Sequence, residues 1–142
     1  MSGSILQRLR DDHDRLEELL GRLGEMLARP KPPPALELFA LRCDVARCMY
    51  AHFQLQDHTL YPTLLARREA GVAELGQVLK DEIGDLAGTY FAHLDKWEPQ
   101  AIERDWTTYR AESAELLERV RARIARENAE LYPLLESLER AA

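Results

Sequence analysis

The chain lacks what several large functional classes require. It has only two cysteines, Cys43 and Cys48, five positions apart. That is not the spacing of a CxxC metal or redox motif. On a helix it turns the two thiols to different faces, too far apart for a local disulfide. They read as small, buried or half-buried thiols of a reducing compartment. The chain shows no glycine-rich phosphate loop, no Ser/His/Asp arrangement and no carboxylate pair whose spacing marks a raised pKa. Basic residues are outnumbered, 19 Lys and Arg against 25 Asp and Glu, so the net charge is −6. A nucleic-acid footprint needs the opposite balance on one face. No apolar run approaches membrane-spanning length, and the opening MSGSILQRLRDDHD lacks the apolar stretch of a signal peptide. The expectation is a cytoplasmic protein with no nucleic-acid or membrane partner. An enzyme is the least supported class.

Strand alternation is missing as well, and what remains is helical. At 142 residues the chain is expected to form one domain, residues 1–142. A first helix from about Ser4 to Arg29 carries Leu6, Leu9, His13, Leu16, Leu20, Leu23 and Leu27 at steps of three and four. PKPPP (30–34) ends it, because proline has no amide donor and its ring clashes with the preceding turn. A second helix from Ala35 turns Leu38, Leu41, Val45, Met49, His52, Gln56 and Leu60 inward. The third, Val72 to Trp97, carries Leu75, Leu79, Ile83, Leu86, Tyr90 and Leu94. EPQAIERD then intervenes, with Pro99 as breaker and Asp105 as cap. The fourth, to about Glu139, carries Tyr109, Ser113, Leu116, Val120, Arg123, Glu127, Leu131 and Leu134. Two helix hairpins, about 4–68 and 72–139, make an all-α antiparallel up-and-down four-helix bundle. Trp97, Trp106, Tyr109, Tyr90 and Phe91 gather near the third connection and read as the cap on one end of the core.

The halves repeat. HFQLQDHTLYP (52–62) and RIARENAELYP (123–133) share their ending, and the offset of 71 pairs His52 with Arg123 and Gln56 with Glu127. His13, His52, Gln56, Arg123 and Glu127 thus fall on stripes that should be apolar, at one level of the bundle. Polar groups there must be paired, hydrogen-bonded or metal-bound. His52 and Gln56 are four apart, as are Arg123 and Glu127, the spacing with which helices in bundle cores hold metals. His58 and His93 fall off the stripes and read as surface or rim residues.

DDH (11–13), HFQLQDHTLYP (52–62), EIGDL (82–86) and ENAELYP (127–133) resemble the hemerythrin-like HHE cation-binding domains, over nearly the whole chain. The resemblance implies a four-helix bundle whose inward His and carboxylate residues hold a di-iron or related centre. Carried onto this sequence, it implies His13, His52 and Glu127 as metal ligands. Gln56 stands where it implies a bridging Glu, Ile83 and Arg123 where it implies histidines, and Ala87 where it allows a further ligand. A dinuclear oxygen-carrying centre is therefore not expected.

Two imidazoles and a carboxylate suffice for one divalent ion, iron or zinc, with Glu17 and the Gln56 amide oxygen as further candidate donors. No catalytic residues and no organic cofactor are expected. Arg123 opposes a metal: at ~4 Å and an effective dielectric of about 20, its charge repels a divalent ion by roughly 8 kcal/mol. The charge argument favours a metal-free core in which the Arg123 guanidinium replaces the metal and satisfies Glu127, with Glu17 and the Gln56 carbonyl. The function expected is that of a cation-binding-family protein with an incomplete site, at most a mononuclear metal-binding or sensing role. The alternative is a metal-free regulatory bundle with a protein partner or a second copy of itself. The AHFQLQDHTLY helix is loosely similar to bacterial helical regulators that bind the major sigma factor.

Overall fold

The computed structural model describes residues 3–141, and every element among them is helical. Helix α1 is Gly3–Leu27. Helix α2 (Ala35–Leu55) passes through a π turn, Gln56–Leu60, into α3 (Tyr61–Leu65). Helix α4 (Val72–Lys96) returns, short α5 (Pro99–Arg104) crosses the end, and α6 (Trp106–Arg126) passes through a second π turn, Glu127–Leu131, into α7 (Tyr132–Ala141). Side-chain links fix the directions. Trp106 Nε1 donates to the Arg29 carbonyl at one end of α1, and Arg10 pairs with Glu136 at the other. Arg42 donates to the Trp97 carbonyl, while Leu64 lies against Gly76. Neighbours around the ring therefore run antiparallel, as the hairpin pattern predicts. Among the described residues no helix is long and apolar enough to cross a membrane.

The helix ends follow from local chemistry. α1 stops at Leu27, ahead of PKPPP, and α2 starts directly after Pro34, whose φ of −52° and ψ of 133° are extended. Gly71 takes φ +81° before α4, a conformation that costs a side-chain-bearing residue. Asp105 caps α6, its carboxylate accepting from Thr108 N at 3.1 Å. EPQAIERD is more than a break. Pro99 sits where its missing amide costs nothing, so it starts α5, which buries Ile102.

The predicted stripes line the core, with three displacements. Leu75 is 39% exposed, Leu117 rather than Leu116 is fully buried, and Leu135 takes the place expected for Leu134. The last follows from the second π turn. Pro62 and Pro133 do not end their helices. The residue before each proline reaches back five positions, Tyr61 N–H to Gln56 O and Tyr132 N–H to Glu127 O. The wider turn makes room for a ring that would clash with the carbonyl four residues back. It also inserts one residue into the helical register, so both Tyr61 and Tyr132 become fully buried. Trp97, Trp106 and Tyr109 pack on one another at the α5 end, with ring centroids 5.4 and 5.7 Å apart, and close the core there.

Two glycines of α4 make opposite predictions. A Cβ on Gly76 would meet Leu64 Cβ at 3.0 Å, whereas one on Gly88 meets nothing within 4 Å. Gly76→Leu should destabilise by about 1–3 kcal/mol through overpacking. Gly88→Ala should stabilise by about 0.5–1 kcal/mol through helix propensity. Urea unfolding of the two variants checks both signs.

Candidate metal centre

All five polar residues of the predicted stripes meet inside the bundle. His13 is 1% exposed, His52 4%, Gln56 0%, Arg123 8% and Glu127 2%. α1 supplies His13, α2 supplies His52, and α6 supplies Arg123. Gln56 and Glu127 are the first residues of the two π turns. Their carboxamide and carboxylate meet directly, Gln56 Nε2 donating to both Glu127 oxygens at 2.9 Å. The 71-residue repeat is thus a contact across the bundle.

One end of the Glu127 carboxylate faces the histidines. Oε1 lies 2.8 Å from His13 Nε2 and 3.5 Å from His52 Nε2, and the two Nε2 atoms are 3.1 Å apart. Both rings are anchored from behind. His13 Nδ1 is 2.7 Å from Asn128 Oδ1, and His52 Nδ1 is 3.1 Å from Asp12 Oδ2. Holding Nδ1 against an oxygen fixes the ring and turns Nε2 toward the centre, as outer partners do for metal-binding histidines. His13 Nε2, His52 Nε2 and Glu127 Oε1 thus converge, with Gln56 Nε2 beside them as a neutral donor 3.1 Å from His52 Nε2. A tetrahedral ion with ligands at about 2.0–2.1 Å sets its donor atoms about 3.3 Å apart. The 2.8, 3.1 and 3.5 Å edges bracket that value, so the residues present fit one ion. Among the described residues, His13, His52 and Glu127 form a buried group with metal-ligating atoms all within 4.8 Å of one another.

The other end of the carboxylate belongs to Arg123. Its Nε donates to Glu127 Oε2 at 2.8 Å, and its Nη2 donates to Tyr61 OH at 2.7 Å and to the Leu79 carbonyl at 3.2 Å. Its Nη1 lies 3.6 Å from the Glu82 carboxylate. The guanidinium therefore takes the oxygen that the histidines leave. The expectation that it also serves Glu17 and the Gln56 carbonyl is not met. Glu17 is exposed, 3.9 Å from Arg121, because the side chain four residues after His13 has turned toward solvent. It is no ligand candidate. Gln56 turns its nitrogen to the centre, and its buried Oε1 finds no hydrogen-bond partner among the described residues. α4 offers no donor side chain here, since Ile83 is buried and apolar and Ala87 is partly buried.

These contacts tune the charges. Burial alone would raise the pKa of Glu127, but hydrogen bonds from His13 and His52 and the Arg123 charge hold it far below the usual carboxylate range. Burial opposes a charge on His52, yet the Asp12 and Glu127 carboxylates outweigh it and raise its pKa. Four neighbours escaped the sequence reading: Tyr61, Tyr132, Asp12 and Asn128. Tyr132 OH sits 3.1 Å from His13 Nε2 and 3.4 Å from Glu127 Oε1. The signals were present in the repeated LYP, in DDH and in ENAELYP, but side-chain reach is not a spacing. The off-stripe histidines lie elsewhere. His58 is exposed beside Gln54, and half-buried His93 lies 3.0 Å from Ser113 Oγ.

A family profile described as Hemerythrin HHE cation binding domain matches residues 4–135. No curated protein and no solved structure matches.

The pKa shifts set a pH dependence for chelator-treated protein. Glu127 contributes stability present above about pH 4.3 and lost as pH falls below it; His52 contributes stability present below about pH 6.5 and lost as pH rises through its raised folded pKa. His93, whose pKa is lowered by burial and by Arg42, acts in the opposite sense. The difference between wild type and His52→Gln isolates His52. Wild type's advantage should be largest near pH 6 and shrink toward pH 8.5 in urea titrations. An advantage that grows with pH contradicts the sign.

Proposed function

The chain belongs to the hemerythrin HHE cation-binding domain family. On that premise we propose that it binds one divalent metal ion, iron or zinc, through His13 Nε2, His52 Nε2 and Glu127 Oε1, in a binding or sensing role. The observation that carries this reading is the triangle of 2.8, 3.1 and 3.5 Å between those atoms, with both imidazoles tethered from behind. An ion bound there supplies a Lewis acid and, if it is iron, a one-electron couple. The residues around it hold and shield rather than react. Asp12 and Asn128 orient the rings, Gln56 and Arg123 orient the carboxylate, and Leu9, Leu16, Leu60 and Leu131 belong to the buried apolar core.

Arg123 limits the number of ions. Its guanidinium covers the second carboxylate oxygen and places a permanent positive charge there. That makes it the cation of one half of the centre and leaves a single ion for the other. The repulsion expected from sequence is moderated because the carboxylate lies between the two charges and bonds to both sides.

Zinc titration of the chelator-treated chain tests the reading. Zinc at about a hundredfold excess over Kd should stabilise wild type by about 2.7 kcal/mol, by binding only the folded state. His52→Ala should abolish the effect. Arg123→His adds a neutral imidazole beside Glu127 and should strengthen zinc binding. Arg123→Met removes the charge without adding a suitable ligand and should not. Without zinc, either Arg123 variant should be less stable by about 3–5 kcal/mol, because Glu127 loses its buried partner. A wild type indifferent to both zinc and ferrous ion overturns the proposal and leaves Arg123 as the centre's own cation, the metal-free reading.

A further inference from the structure

Resting on the single-ion reading above, we propose that the Tyr132 phenolic oxygen is the fourth ligand of that ion. The argument is geometric. Tyr132 is 0% exposed, its ring is stacked on His13 with centroids 5.0 Å apart, and its oxygen stands 3.1 Å from His13 Nε2 and 3.4 Å from Glu127 Oε1. These two spacings fall in the range the other three donors keep among themselves and sit around the tetrahedral edge of about 3.3 Å.

The two acceptors of the Tyr132 hydroxyl in the metal-free protein, His13 Nε2 and Glu127 Oε1, are the atoms the ion takes. A buried hydroxyl left with neither is costly, whereas its oxygen already faces the ion. Ligation as phenolate forms a metal–oxygen bond and releases the hydroxyl proton to solvent, with no change in oxidation state.

The repeat supports the assignment independently. Tyr61, the counterpart of Tyr132 on the other π turn, accepts from Arg123 Nη2 at 2.7 Å. One tyrosine oxygen thus faces the guanidinium, and its counterpart faces the triangle of metal-ligating atoms. The same π turn that accommodates each proline brings each tyrosine into the core.

The test uses the full chain with two probes. Ferrous ion is added under argon and oxidised in place with ferricyanide, and visible absorption and resonance Raman spectra are recorded. Zinc affinity is measured by competition with a chelating dye. Wild type should show a phenolate-to-iron charge-transfer band with phenolate Raman modes. Tyr132→Phe should lose both and bind zinc at least about tenfold more weakly. Tyr61→Phe should keep the band. A ferric wild type without phenolate modes, or a Tyr132→Phe protein that keeps them, overturns the assignment while leaving the three-donor reading intact. So does unchanged zinc affinity in Tyr132→Phe. A wild type that takes up neither metal overturns both.

Discussion

The ionised carboxylate of Glu127, 2% exposed at the centre of the bundle, is the constraint on which the rest of the interior depends. A lone charge there would cost far more than the fold's net stability, so its neighbours are dictated. It is held by Gln56 across the bundle, by Arg123 on one oxygen, and by His13 on the other with Tyr132 behind. Each of those groups comes from a different helical segment. Satisfying one anion therefore fixes the relative rotation of α1, the α2–α3 helix, α6 and α7. Truncating any single partner leaves the anion in place, which is why loss of one partner in such a set is usually costlier than the set is worth. α4 alone approaches the centre with apolar side chains, touching it through the Leu79 carbonyl and the rim carboxylate of Glu82.

The π turns give the internal repeat a mechanical meaning. In each half a proline follows the tyrosine, and in each half the helix widens over the five residues starting at the site residue. The widening is a response to the proline ring. Its consequence is that an α-helical register is shifted by one residue immediately beyond the site. Leu60 and Tyr61, and likewise Leu131 and Tyr132, are adjacent buried pairs immediately beyond the site. Two tyrosines are thereby added to a centre whose carboxylate and carboxamide lie at the start of each turn. The repeat diverges at the position four residues before, His52 in one half and Arg123 in the other. One half keeps an imidazole and the other carries a guanidinium.

That history of pattern and departure marks what sequence can and cannot show. Helix periods, the PKPPP stop and the Asp105 cap are local properties, and they located the four long helices and brought His13, His52, Gln56, Arg123 and Glu127 to one level. Glu17 failed because helical spacing gives a direction only to within a residue's arc. Four residues from His13 on a helix edge is enough to reach solvent. Gln56 failed in a subtler way, since spacing placed it correctly but said nothing about which amide atom would turn inward. The carboxylate opposite decides that, and it selects the donor nitrogen. Tyr61 and Tyr132 stayed hidden because an α-helical wheel turns them away from the stripe. Only a π turn brings them in, and a turn of that type is set by crowding at a proline ring rather than by any periodicity. The sequence places the Arg123 charge as the main opposition to a metal. Its partner oxygen, which decides how strong that opposition is, belongs to tertiary structure.

The charges around the centre bear on how many ions the proposed site would hold. The hydrogen-bonded and ion-paired network joins four carboxylates, Asp12 behind His52, Glu127 at the middle, and Glu82 and Glu130 at the rim. Against them stand two guanidiniums, Arg123 and Arg126. With neutral imidazoles and phenols the network carries two surplus negative charges, and a Tyr132 phenolate adds a third. A proton on His52, favoured by its raised pKa, removes one of them. A single divalent ion among the Nε2 atoms would offset two negative charges. A second divalent ion would leave the network two charges positive and would have to displace the Arg123 guanidinium from Glu127 Oε2, where it is held by three hydrogen bonds. Solvent screens the rim members, Glu82, Glu130 and Arg126, more than the buried ones. Counting only the inner set of Asp12, Glu127 and Arg123 leaves one negative charge, which a proton on His52 balances. Arg123 is thus a built-in cation on one side of Glu127, and the proposed ion is left the other.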